Sequence, residues 1–272
     1  MQRTAKVVVL AAGRGSRMRA THPGVALDPA QERAAAAGRK PLVPFHGHPF
    51  LSYSLTEVAR AGIEEVCLVV GPGGDPLQRY YESVRPERIR LRFAVQENPR
   101  GSAHALLAAE AFAAGDPVVV LNADNLYPST AIEAVSRLPG HGLIGFEASG
   151  LVELGGISPD RIRAFAVLVR DFDGCLREIR EKPGEDELVD FGADPLVSMT
   201  CWRFTSGVFD ACRSVTPSER GELELPDAAM HLVQKAGACV HVHPLRAGVL
   251  DLTRQADVAA LDGRLRGREV DF

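Results

Sequence analysis

A chain of 272 residues that is 46% hydrophobic and 24% charged carries enough apolar material for one large folded domain or two small ones, which excludes a disordered tract or a fibre. Its formal net charge of -4 offers no broad basic surface to nucleic acid or an anionic membrane, so any phosphate chemistry must rest on local cations. No apolar run reaches the length of a membrane span and the N-terminus enters a strand without a signal-peptide layout, so a cytoplasmic location is expected.

The first predicted element is a strand over Val7 to Ala12, apolar without alternation and so of the kind covered on both faces in a parallel sheet. It runs into Gly13-Arg14-Gly15-Ser16-Arg17-Met18, where two glycines allow a tight turn whose N–H groups face an anion and two arginines add charge-assisted donors. A dinucleotide fingerprint would need a glycine where Met18 stands, and a P-loop would need Gly-Lys-Ser or Gly-Lys-Thr. Simple chain reversal is the other reading of this turn. Ala20 to Arg39 follows, polar and rich in Ala, Pro and Gly, with a short helix over Pro29 to Gly38; it reads as a flap or an interface element.

A helix over Phe50 to Ala61, a strand over Glu65 to Val70, a helix over Pro76 to Val84, a strand over Ile89 to Val95, a helix over Ala103 to Ala113 and a strand over Pro117 to Asn122 continue the chain. This alternation argues for a parallel sheet with helices on both faces and ligands at the carboxyl ends of the strands. Beyond Leu126 shorter strands are predicted over Leu143 to Glu147, Ala164 to Arg170, Leu176 to Arg180 and Val197 to Phe204. Helices over Pro226 to Ala236 and Gln255 to Leu265 bracket a strand over Cys239 to Leu245.

The five cysteines, Cys67, Cys175, Cys201, Cys212 and Cys239, are widely spaced without a CxxC pair, which favours buried reduced thiols over a metal site or a disulfide frame. His241 and His243 alternate on one strand face; surface histidines are the favoured reading over metal ligands.

With these positions in place, the chain resembles the sugar-1-phosphate nucleotidyltransferases. The resemblance is carried, in the family's order and over roughly residues 5 to 260, by Leu10-Ala11-Ala12-Gly13-Arg14-Gly15-Ser16-Arg17-Met18, Lys40-Pro41-Leu42-Val43-Pro44, Gln96-Glu97-Asn98-Pro99-Arg100-Gly101-Ser102-Ala103-His104-Ala105, Leu121-Asn122-Ala123-Asp124-Asn125, Glu181-Lys182-Pro183, Gly221-Glu222-Leu223-Glu224-Leu225-Pro226-Asp227 and Gly248-Val249-Leu250-Asp251-Leu252. It implies an α/β fold, Rossmann-like, with a mixed, mostly parallel central sheet between helical layers. It also implies a single domain over residues 1–272, with a nucleotide-binding half over about 1–125 and a sugar-phosphate-binding half over about 126–272; the insertion 20–39, longer than the family's spacing, reads as a lid or an interface element.

The reaction implied is NTP plus sugar 1-phosphate giving NDP-sugar plus diphosphate, with Mg2+ as cofactor and uridylyl or thymidylyl transfer favoured. The alternatives are adenylyl or guanylyl transfer to a cyclitol phosphate, a glycosyltransferase centred on Asp171-Phe172-Asp173, and a nucleotide-sugar sensor without catalysis. The partners expected are the two small substrates, with no nucleic acid and no membrane, and homo-oligomerisation is open. By the resemblance, Leu10 to Ser16, Gln96, Gly101 and Ser102 bind the nucleotide, and Arg17, Lys40, Asp124 and Lys182 are catalytic. Ala166, Glu181, Lys182 and Thr200 bind the sugar phosphate, and Asp124 and Asp251 share the metal. The chemistry agrees, because nucleotidyl transfer needs positioning and cations rather than a covalent nucleophile, and two carboxylates are a sparse shell of the kind Mg2+ accepts. Lysines are scarce, Lys6, Lys40, Lys182 and Lys235 alone, and two of the four fall in these motifs.

Three departures from the family pattern stand out: a longer gap between Arg17 and Lys40, Phe165-Ala166 where a Tyr-Gly is common, and Ser198-Met199-Thr200 where Asn or Thr precedes Ala-Gly.

Overall fold

The computed structural model describes residues 3–13, 15–20, 27–72, 76–184 and 191–272. Its first four long strands, β1 (Lys6–Leu10), β2 (Glu65–Val70), β3 (Arg90–Val95) and β4 (Val118–Asn122), are parallel and lie in the spatial order 3-2-1-4. Successive side chains on a strand point to opposite faces, and β1 uses both. Val7 and Val9 enter one apolar cluster with Leu51, Leu55 and Val58 of the helix Phe50–Arg60, while Val8 enters another with Ala103 and Leu106 of the helix Ser102–Ala108. That double burial explains the non-alternating sequence of this strand.

The second half adds β5 (His141–Glu147), β6 (Ala166–Arg170), β7 (Leu176–Arg180), β8 (Leu196–Phe204) and β9 (Val240–Leu245). β8 joins the halves: Trp202 to Phe204 pair antiparallel with β4, Val197 and Ser198 pair antiparallel with β6, and its other edge pairs with β5, which is followed in parallel by β9. The register shifts between Ser198 and Trp202, where Thr200 takes φ 58°. Such an irregularity bends a strand and lets β8 change neighbours from β4 to β6. The resulting sheet is mixed and mostly parallel.

Several predicted bounds move. β1 leaves the sheet after Leu10, with Ala11 N still donating to Val69 O at 2.9 Å. The helix expected over Ala103 to Ala113 divides into Ser102–Ala108 and Glu110–Ala113 at Ala109, whose N–H donates to Leu106 O in a tight turn. The helices Ser129–Ser136, Ala148–Glu153, Pro159–Ile162 and Gly207–Ser214 were not expected. Of the segment 20–39, residues 21–26 lie outside the described residues. The helix Pro29–Ala36 is held by a capping box between Asp28 and Gln31, and Ala35 is buried in a third cluster with Met18, Val43 and Leu261.

The cysteine expectation is corrected. Cys175 and Cys239 are joined in a disulfide, Cα to Cα 5.2 Å, across a sequence separation of 64. The fold brings them together because Cys175 bridges the β9 strand at His241, a pairing that spacing alone does not reveal. Cys67, Cys201 and Cys212 are buried free thiols. Among the described residues no helix is long and apolar enough to cross a membrane.

Candidate active site

β1 lies between β2 and β4, at the point where the strand order reverses direction, and in open α/β sheets ligands bind in the crevice at the carboxyl ends there. A cavity of about 760 Å³ opens at this place. Leu10, Ala11, Ala12 and Gly13 line it from the end of β1, Gly15, Ser16 and Arg17 from the following turn, and Asn122, Ala123 and Asp124 from the end of β4. Gln96, Gly101 and Ser102 come from the segment after β3, and Lys40 with Gly38 from the far side. The glycine turn and three segments distant from it in sequence therefore line one cavity. Arg14 lies outside the described residues.

Two glycines fix this geometry. Gly15 has φ 60°, and a Cβ on it would fall 2.0 Å from Gly38 O, so the turn rests directly on the backbone that leads to Lys40. Gly101 has φ 108°, and a Cβ there would fall 2.4 Å from Leu223 O. Leu223 N donates to Arg100 O at 2.7 Å, Ala103 N to Leu223 O at 2.9 Å and Leu225 N to Ser102 Oγ at 2.9 Å, stitching the segment 221–225 to the loop after β3. Gly101→Ala is accordingly expected to lower stability by about 2–3 kcal/mol and to raise the KM for nucleotide. A thermal melt and a KM determination on the variant check this.

The polar groups divide into two sets. Arg17 is exposed at the cavity and makes no ion pair among the described residues. Lys40 Nζ lies 2.7 Å from Asp124 Oδ2, with side-chain exposures of 11% and 29%. Gln96 is buried, and its Nε2 donates to Gly101 O at 3.0 Å and lies 3.2 Å from His104 Nδ1. A carbonyl can only accept, so the side-chain amide orientation is fixed with the NH2 group committed to protein and Oε1 left as an acceptor. Arg220, which the sequence reading did not single out, lines the cavity and pairs with both oxygens of Glu224 at 2.8 Å.

Asp251 stands behind Asp124 rather than on the cavity wall. It pairs with Asn125 across a two-residue ladder, and Leu252 N donates to Asp124 O at 2.9 Å. Its carboxylate accepts from Asn125 Nδ2 at 2.9 Å, from Thr253 Oγ1 and from Arg161 Nη2; Arg161 Nη1 reaches Asp257 Oδ1 at 2.7 Å. Burial holds the Asp251 carboxyl above the usual carboxylate range, the charge of Asp124 adds to this and Arg161 opposes it. Two carboxylates close enough to repel form a hard oxygen set suited to a divalent cation. Arg161, Thr253 and Asp257 were also absent from the sequence reading.

The expected sugar-phosphate residues do not line this cavity. Ala166 starts β6 opposite Ser198, Thr200 lies in the irregular part of β8, and Glu181 and Lys182 follow β7. Lys182 and Thr200 hold φ 45° and 58°, left-handed values that cost a non-glycine residue about 1 kcal/mol or more and cluster at functional sites. Glu181 reaches solvent, yet partial burial of its carboxyl and then the charge of Glu224 hold it above the usual range, with Arg220 and Lys182 opposing. Asp171-Phe172-Asp173 forms a hairpin tip away from the cavity: Asp171 accepts from Cys175 N at 2.8 Å and pairs with Arg177 at 2.6 Å, so it does not present a metal motif to a nucleotide.

Residues 6–244 match the family model described as "Nucleotidyl transferase". The chain belongs to the nucleotidyl transferase family. Among curated members of the family it is 29% identical over 198 residues to the bifunctional protein GlmU of Methanococcus vannielii, covering 72% of this chain and 43% of that protein. It is 28% identical over 261 residues to UTP–glucose-1-phosphate uridylyltransferase AglF of Haloferax volcanii, covering 96% of each. The chain spans 43%, 64% and 46% of the length of three of the relatives it matches, so several of them carry further sequence. In fold, this nucleotidyl transferase is similar to UDP-glucose pyrophosphorylase complexed with UDP-glucose, at a TM-score of 0.73 and 17% identity over 97% of this chain and 100% of that one.

Proposed function

We propose that this nucleotidyl transferase joins a nucleoside triphosphate to a sugar 1-phosphate, with Mg2+, releasing diphosphate and forming an NDP-sugar. The observation that carries this reading is the single cavity at the strand-order reversal, where the glycine turn with Arg17, Lys40, Gln96 and Asp124 meet. A phosphate oxygen of the sugar attacks the α-phosphorus, the bond from that phosphorus to the bridging oxygen of the β-phosphate breaks, and the leaving diphosphate takes the electron pair. The exposed Arg17 and the backbone of Gly13 to Ser16 hold the β- and γ-phosphates, and Lys40 neutralises the leaving group. Lys182 holds the sugar phosphate, and Ala166, Glu181 and Thr200 shape the sugar pocket. Asp124 and Asp251 would hold the divalent cation, which when bound offsets phosphate charge and orients the two substrates.

Uridylyl or thymidylyl transfer is the favoured form. With the NH2 group of Gln96 committed to Gly101 O and His104, its Oε1 suits the N3–H donor of uracil or thymine better than the N3 acceptor of cytosine. The names of the uridylyltransferase and thymidylyltransferase relatives agree with that choice. Diphosphate release measured over the common triphosphates and a panel of sugar 1-phosphates tests the proposal. Release with UTP or dTTP is expected, and no release with any pair would overturn it.

A pH experiment tests the sugar side. Glu181 accepts hydroxyl hydrogen bonds most strongly when ionised, and, after burial, the like charge of Glu224 raises its pKa. Glu224→Gln removes that charge and frees Arg220 from its pairing, and both changes lower the pKa of Glu181. The acid limb of kcat/KM is therefore expected to move to lower pH in Glu224→Gln, read from pH–rate profiles of the two proteins.

A further inference from the structure

A second cluster lies beside the tip of the β6–β7 hairpin. Cys175 forms an isolated antiparallel bridge with His241, and Gly174 O accepts from Val242 N at 2.8 Å, so the hairpin closes on the edge of β9. The sulfurs of Cys175 and Cys239 and a nitrogen of His241 all lie within 4.8 Å of one another, and the three residues are half-buried. His241 Nδ1 stands 3.6 Å from Cys239 Sγ. None of the three lines the cavity described above.

We propose that Cys175, Cys239 and His241, with the disulfide reduced, form a site for one divalent cation of the zinc class, and that the disulfide is the metal-free oxidised form of that site. Tetrahedral zinc with sulfur at about 2.3 Å and nitrogen at about 2.05 Å sets those two ligand atoms roughly 3.6 Å apart. That is the separation already present between Cys239 and His241. Two thiolates on the same ion sit about 3.8 Å apart, against about 2.05 Å in a disulfide. The sulfurs must therefore part by a little under about 2 Å, a movement that side-chain rotation supplies between α-carbons 5.2 Å apart.

The chemistry balances with a dithiol reductant. It gives two electrons and two protons to the S–S bond, leaving two cysteine thiols and its own cyclic disulfide. The cation then displaces the two thiol protons to solvent and takes two bonds to sulfur and one to the neutral imidazole, with the fourth position left to water. The other thiols do not compete. Cys67 and Cys212 are pushed up to about 12 by burial, and burial also raises Cys201, so none supplies a thiolate near neutral pH.

The test uses Co2+ as the probe. The full chain is reduced with dithiothreitol, freed of it without oxygen and titrated with Co2+, alongside the oxidised protein. One equivalent is expected to give the thiolate-to-cobalt charge-transfer band and the intense visible bands of tetrahedral cobalt, all bleached by Zn2+, with none in the oxidised protein. Cys175→Ser and Cys239→Ser are expected to abolish the charge-transfer band of this site, and His241→Ala to weaken Co2+ binding by about 10-fold or more. Melting curves under reducing conditions establish that the serine variants are folded. Absence of the band in reduced wild-type protein, or its persistence in both folded serine variants, would overturn the proposal.

Discussion

Asp124→Asn is expected to lower kcat by about 10³-fold with the fold intact. Asparagine keeps the shape of the side chain and removes its charge. In the folded protein that charge has two neighbours, the Lys40 ammonium at 2.7 Å and the buried Asp251 carboxyl, whose pKa is raised first by burial and then further by the charge of Asp124. Neutralising Asp124 leaves Lys40 without its partner and halves the carboxylate charge available to a divalent cation. The loss of transition-state stabilisation that corresponds to 10³ is about 4 kcal/mol, within what one bound cation contributes. The cost to stability is smaller, about 1 kcal/mol, because Asp124 is 29% exposed and its carboxylate is hydrated when the pair is broken. Steady-state kcat beside a thermal melt separates the two effects. Near-normal turnover in a folded variant would remove Asp124 from the reaction.

The parts of the site that could be read from sequence are those whose chemistry is local. Val7 to Leu10 announces a doubly covered strand because both faces of β1 are buried, and Gly15 marks the turn that follows it because it occupies a backbone position closed to a Cβ, as Gly101 does in the loop after β3. Asp124 and Gln96 follow strand ends in the same way. Arg161 and Arg220 gave no such signal. Each is an arginine among many, and what distinguishes them is the carboxylate they meet: Asp251 is 90 residues away in the chain from Arg161, and Glu224 is four residues on from Arg220 across an irregular loop. The helix Ser129–Ser136 did leave a trace, since Ala131, Ile132 and Val135 sit on one face, but it is only two turns long and follows a strand without a cap hydrogen bond. The Cys175–Cys239 pairing depends on how the hairpin closes against β9, a tertiary fact with no counterpart in cysteine spacing.

The second large effect is expected at Arg161, and it falls on stability and cation binding together. Its guanidinium forks between Asp251 and Asp257, whose side chains are 5% and 8% exposed, while Arg161 itself is 19% exposed. Asp257 in turn accepts from Thr253 N at 2.9 Å and Arg254 N at 2.8 Å, so one arginine fastens the start of the helix Ala256–Leu265 to the carboxylate behind Asp124. Removing one partner of a buried pair leaves an uncompensated charge and costs about 3–5 kcal/mol. Arg161→Ala strands two such charges, so a loss at the upper end of that range is expected, on the order of 10 °C in Tm for a chain of this size. Arg161→Lys keeps the charge but cannot hold both carboxylates with parallel N–H groups, so it is expected to recover part of the stability. Its Mn2+ affinity, measured by the paramagnetic signal of the free ion, should still fall below that of the wild type, because Asp251 is no longer fixed against Asn125 and Thr253 from the third side. If Arg161→Lys matches the wild type in both Tm and Mn2+ affinity, the fork is dispensable, and a simple positive charge accounts for what Arg161 does.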